Sequence, residues 1–254
     1  MTKILSQKIA LVTGASRGLG RATAKRLAQD GALVAAHYGK NKADADSLVA
    51  EITKAGGEAF AVQADLNKLA EIQALFKTLD AELTKRRGSN AIDILVNNAG
   101  VVEHNAVADT TEAQFDHLFD VNVKALFFVT QLALPRLKNG GRVINISSAV
   151  ARIYFPGIMA YSMTKGAVNV LTSQLANELG ERNITVNSVS PGAIETDMNP
   201  WLQSDEGVQT VHAMQAIKRV GKPEDIANAV AMLAGPDGAW VTGQIVEASG
   251  GSKL

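Results

Sequence analysis

Along the chain, short continuous apolar runs alternate with longer stretches whose apolar residues return every three or four positions. The runs are residues 8–13, 33–38, 59–63, 92–96, 141–146, 185–189 and 244–248. Runs of this length and continuity predict strands buried on both faces. The stretches between them read as helices. A helical pattern runs through Leu19, Ala22, Leu27 and Ala28 after the first run, and residues 68–87 form a second helical segment. Thr111 and Glu112 open a helix predicted to reach about Lys138, another carries Tyr161 and Lys165, and Pro223 suits the first turn of the last. Strand and helix in alternation predict the α/β class: a Rossmann-type, doubly wound parallel sheet of about seven strands with helices on both faces.

Residues 1–254 read as a single domain, since no Pro/Ser-rich linker, charge block or internal repeat divides them. Apolar residues make up 46% and charged residues 20%, which leaves ample material for a core. Lysine plus arginine equals aspartate plus glutamate at 25 each, so no global field draws the chain to nucleic acid or to an anionic membrane. The absence of cysteine removes disulfides, thiol nucleophiles and thiolate metal sites together. His37, His104, His117 and His212 show no metal-binding spacing, so no metal is expected. The most apolar run, residues 125–135, is interrupted by Thr130 and Gln131 and does not read as a membrane span. A cytoplasmic protein is expected, although Ser252-Lys253-Leu254 would spell a peroxisomal address in a eukaryote.

Candidate chemistry sits in three places. Residues 13–20 join the first strand to the first helix with Gly14, Gly18 and Gly20 around Ser16, Arg17 and Leu19, a turn that lets backbone approach a pyrophosphate and aims a helix N-terminus at it. At the end of the second strand, NAD-binding folds usually place an acid for the ribose hydroxyls; here stand Tyr38, Gly39 and Lys40. With Arg17 and Lys40 available to a 2′-phosphate, NADP(H) is expected over NAD(H). Tyr161 and Lys165 lie four apart, one helical turn, where a cation would favour the phenolate and lower the tyrosine pKa. A serine hydroxyl from Ser147-Ser148 could polarise the same substrate oxygen, a set suited to interconverting a carbonyl and an alcohol.

With Asn97-Asn-Ala-Gly100 and Asn122 in order between them, these motifs resemble the short-chain dehydrogenase/reductase family over essentially the whole chain. The resemblance implies Tyr161 as acid/base, Lys165 as its partner and holder of the nicotinamide ribose, and Ser148, thirteen residues before the tyrosine, as the polarising hydroxyl. Asn122 is implied to perturb its helix and to position a water linked to Lys165. The dinucleotide would further meet Asp65 and Leu66 at the adenine, Asn98, Ala99 and Gly100 along its path, and Pro191, Gly192, Ile194 and Thr196 at the nicotinamide. Residues 193–220 would form a substrate lid, and a homotetramer is the family expectation. Residues 190–198 resemble 3-oxoacyl-acyl-carrier-protein reductases, with Arg136, Lys138 and Arg182 as docking cations for an acidic carrier. Alternatively, Tyr154, Phe155, Met198 and Trp201 line a pocket for a free small-molecule ketone or secondary alcohol. A non-catalytic dinucleotide sensor would need only the glycine loop.

Overall fold

The computed structural model describes residues 3–254 and shows seven parallel strands in the order β3-β2-β1-β4-β5-β6-β7. The strands are β1 (Ile9–Val12), β2 (Leu33–Tyr38), β3 (Glu58–Gln63), β4 (Ile92–Asn97), β5 (Leu137–Ile146), β6 (Thr185–Pro191) and β7 (Ile245–Ala248). The helices are α1 (Gly18–Gln29), α2 (Lys42–Lys54), α3 (Leu69–Arg87), α4 (Glu112–Phe119), α5 (Ala125–Ala133), α6 (Met159–Leu179), α7 (Asp205–Met214) and α8 (Pro223–Ala234). The chain builds outward from β1 to β3, then crosses back to lay β4 on the other side of β1. This reversal opens a crevice at the carboxyl ends of the strands, where such sheets take their ligands.

Alternation along each strand feeds two cores. Ile9 and Leu11 pack with α3, α5 and α6 through Leu75, Leu79, Val129 and Leu179. Ala10 and Val12 face the other way, onto α1, α2 and α8 through Leu27, Leu48 and Val230. The pairing of β4 with β5 shifts register between Ile92 and Ile94. Asp93, 5% exposed at that shift, accepts from the Ile9 N–H at 3.0 Å and pairs with Lys8 and Lys138, each at 3.1 Å.

One expectation changes. The helix predicted from Thr111 to Lys138 ends at Ala133, is interrupted by a π-turn over Asp120–Lys124, and gives its last residues to β5. The helical segment expected over residues 68–87 is α3, which Gly88 closes with φ +70°. The carrier-docking cations are engaged within the chain. Arg136 forks onto Asp80 at 2.6 and 2.5 Å, Lys138 holds Asp93, and Arg182 donates to the carbonyls of Leu134 and Leu137. Among the described residues no helix is long and apolar enough to cross a membrane, and no acid/histidine cluster could hold a metal.

Candidate active site

Thr13 to Gly20 leaves β1 and enters α1 through a turn that needs glycine. Gly14 and Gly18 have φ of +63° and +53°, where a side chain is costly. Gly20 works differently. It does not line the crevice, as expected of a cofactor contact, but a Cβ there would run into the Gly14 carbonyl and the Asn98 side-chain amide. Its missing side chain sets how closely helix and loop approach. α1 begins at Gly18 without a side-chain capping bond or an acid in its first turn, so its N–H groups remain available to an anion.

The loop is braced from beneath. Thr13 Oγ1 accepts from the N–H groups of Asn98 and Ala99 at 2.9 and 3.0 Å, and Asn98 Nδ2 donates to the Thr13 carbonyl at 2.8 Å. His37, considered in the sequence only as a metal ligand, completes the brace. Its Nδ1 accepts from the Gly14 N–H at 3.0 Å, which leaves the ring proton on Nε2 to donate to the Ala64 carbonyl at 3.1 Å. Burial pushes this imidazole down to about 4, against the opposing pull of the Ala64 bond. A single buried histidine at a strand end carries no spacing signal, which is why the sequence did not reveal it.

These elements line a crevice of about 690 Å³. At one end lie Ser16, Arg17, Leu19, Gly39, Lys40, Asp65 and Leu66. Tyr38 is not among them: strand alternation sends it into the interior, 5% exposed, and leaves Gly39 and Lys40 at the surface. Hydrogen bonds from the side chain and backbone N–H of Asn67 hold the Asp65 carboxyl below its usual range, so it stays ionised. Ala99 and Gly100 line the middle of the crevice, and Pro191, Gly192, Ile194 and Thr196 line it beside them.

At the other end Ser148, Tyr161 and Lys165 come together. Ser148 leaves β5 at its carboxyl end, while Tyr161 and Lys165 share one face of α6. Lys165, 4% exposed, donates to the Ile146 carbonyl at 2.8 Å, with Nζ 5.5 Å from the Tyr161 ring centre. The expected lowering of the phenol by lysine is not what this geometry gives. Burial pushes Tyr161 up to about 12, and the Ser148 hydrogen bond opposes it only in part. Burial also pulls Lys165 down to about 8. At neutral pH the phenol therefore keeps its proton, the form that can donate one. Ser147 supports the helix instead, donating to the Lys165 carbonyl at 3.2 Å.

Asn122 sits in the π-turn behind this cluster, 1% exposed and outside the crevice lining. Its Oδ1 accepts from the Val101 N–H at 2.8 Å, and Nδ2 donates to the Val101 carbonyl and to Thr164 Oγ1 at 2.9 and 3.2 Å. A Cβ on Gly100 would stand 3.1 Å from Asn122 Oδ1 and 3.6 Å from Lys165 Nζ. Glycine there lets loop, asparagine and lysine converge.

Beyond Tyr161 the walls become apolar: Val101, Val150, Ile153, Phe155, Met198 and Trp201, with His104 and His117 among them. Phe155 and Trp201 meet across this end with ring centres 5.8 Å apart. Tyr154, also expected here, is 74% exposed and points elsewhere, its carbonyl accepting from Lys253 Nζ. The stretch predicted as a lid holds a short 3₁₀ turn, Pro200–Gln203, followed by α7. Ser252, first residue of the Ser252-Lys253-Leu254 tripeptide, lines the crevice and is 3% exposed.

A family model described as "Enoyl-(Acyl carrier protein) reductase", of the short-chain dehydrogenase/reductase type, matches residues 14–253. The 3-oxoacyl-[acyl-carrier-protein] reductase FabG of Staphylococcus aureus is 40% identical over 97% of this chain and 98% of its own. Among solved structures, the angucycline C-6 ketoreductase LanV with bound NADP is 42% identical with a TM-score of 0.95, covering 100% of this chain and 98% of that one. The promiscuous reductase LugOII, which catalyses keto-reduction at C1 during lugdunomycin biosynthesis, is 45% identical, also at 0.95, covering 99% and 100%.

Proposed function

From the premise that the chain belongs to the short-chain dehydrogenase/reductase family and is an oxidoreductase of that type, we propose that it is an NADP(H)-dependent ketoreductase acting on a free, largely apolar ketone. The observation that carries this reading is a single crevice with two unlike ends. One offers glycine turns, an uncapped helix start, Arg17 and Lys40; the other sets Ser148 and Tyr161 at the edge of apolar walls. NADP bound to a 42% identical ketoreductase supports the choice of cofactor.

The glycine loop fits such a group, because Gly14 and Gly18, both at positive φ, turn the backbone along the crevice wall and the α1 N–H groups are free for phosphate. Lys40 and Arg17 would hold the 2′-phosphate, and Asp65 and Leu66 the adenine. NADPH, when bound, supplies the hydride. Tyr161 then delivers a proton to the carbonyl oxygen from its phenol, kept neutral by burial. Ser148 directs its hydroxyl at the same oxygen as negative charge grows there. Lys165 stabilises the phenolate left behind and holds the nicotinamide ribose, while Asn122 fixes loop and helix around it and supports the proton relay.

A carrier-bound 3-oxoacyl substrate is the second reading, supported by the FabG relative. The engagement of Arg136, Lys138 and Arg182 within the chain gives it no added support. A homotetramer would cover exposed apolar residues such as Phe127, Met163 and Val170 on α5 and α6.

The test is NADPH oxidation against free aromatic and aliphatic ketones beside carrier-bound 3-oxoacyl thioesters. Turnover should favour free ketones and fall about 10³-fold in Tyr161→Phe with NADPH affinity unchanged. Undiminished turnover in that variant would overturn the mechanism, and preference for the carrier-bound substrate would select the second reading.

A further inference from the structure

Arg152 lies four residues beyond Ser148 and three before Phe155, yet its guanidinium faces away from the chemistry. Nε and Nη2 fork onto the two carboxylate oxygens of Glu247 in β7 at 2.9 and 2.7 Å. Nη2 also donates to the Ser252 carbonyl at 2.8 Å, and Nη1 to the Lys253 carbonyl at 3.2 Å. One side chain thus ties the loop behind Ser148 to segments about a hundred residues away.

The 249–253 segment is itself ordered from within. Ser249 Oγ donates to Glu247 at 2.7 Å and accepts from the Ser252 N–H at 3.0 Å. Its outer edge then holds the end of α7. Lys253 N–H donates to the Met214 carbonyl at 2.7 Å, while the N–H groups of Ala216 and Ile217 donate to the carbonyls of Gly251 and Gly250 at 3.0 and 2.9 Å. The contacts run unbroken from the loop of Phe155, through Arg152 and residues 249–253, to Met214. Phe155 and Met214 both line the apolar end of the crevice.

An exposed ion pair contributes little by charge alone. A bidentate fork with two further carbonyl bonds does something else, because it fixes direction as well as distance. We propose that Arg152 is a positioning residue, acting through Glu247 and residues 249–253 to fix the spacing between the two walls of the ketone end. The inference rests on the reading of that end as the substrate site.

Arg152→Met keeps side-chain length and removes all four bonds; Glu247→Gln keeps a hydrogen-bond acceptor and loses the charge. In Arg152→Met the KM for ketone should rise about tenfold with kcat within about twofold and NADPH affinity unchanged, and in Glu247→Gln KM should rise about threefold. Amide exchange of the substrate-free protein should quicken at residues 214–217 and 250–253 and nowhere else. Wild-type KM together with wild-type exchange would overturn the role. So would equal losses of kcat, NADPH affinity and thermal stability, which mark a fold-wide defect. A wild-type protein that reduces no ketone counts against the substrate reading, while exchange still decides the part played by Arg152.

Discussion

The two ends of the crevice are built on different principles. The dinucleotide end is made mainly of backbone: glycine turns, the start of α1, and main-chain N–H and carbonyl groups held from below by Thr13, Asn98 and His37. The ketone end is made of side chains on loops and a short helix, clasped from outside by Arg152 and residues 249–253. A backbone cradle suits one invariant ligand, since its donors cannot be changed by substitution. Side-chain walls can be re-cut one residue at a time, so the same chemistry can serve different ketones.

The comparison is broken most severely at Gly20. Gly20→Ala drives a methyl into the Gly14 carbonyl and the Asn98 amide, and overpacking against backbone costs about 1–3 kcal/mol. NADPH affinity should fall at least about thirtyfold, read by fluorescence titration, with a lowered melting temperature. Tight binding by this variant would show that the loop yields more readily than the braces imply.

His37 tests the same brace through pH. Its folded-state value of about 4 lies below the unfolded 6.5. The unfolded chain therefore binds the proton first, and stability present above pH 6.5 is lost as pH falls towards 4. The full effect is about 3 kcal/mol. Denaturant unfolding at pH 7 and pH 4.5 should show a smaller acid loss in His37→Asn than in wild type. Parallel losses in the two proteins would remove His37 from the account.

The smallest expected effect sharpens cofactor choice. Arg17 is largely exposed, with Asp197 at 3.6 Å, and Lys40 is exposed as well. Arg17→Ala with Lys40→Ala should weaken NADPH about tenfold and leave NADH nearly unchanged. Equal weakening of both, measured as Kd, would mean that these cations do not read the 2′-phosphate.

Much of this was legible in sequence because it depends on local spacing. Apolar runs separated by helical periodicity determine a doubly wound parallel sheet, and the glycines of residues 13–20 and the four-residue step from Tyr161 to Lys165 keep their meaning wherever the chain goes. Tertiary structure alone decided what depends on distant partners. Tyr38 is turned inward by strand alternation, and burial, rather than the neighbouring lysine, sets the state of the phenol. His37 reaches Gly14 across 23 residues, and Arg152 meets Glu247 across 95. Desolvation and long-range hydrogen bonds belong to the packed molecule; no window of sequence contains both partners.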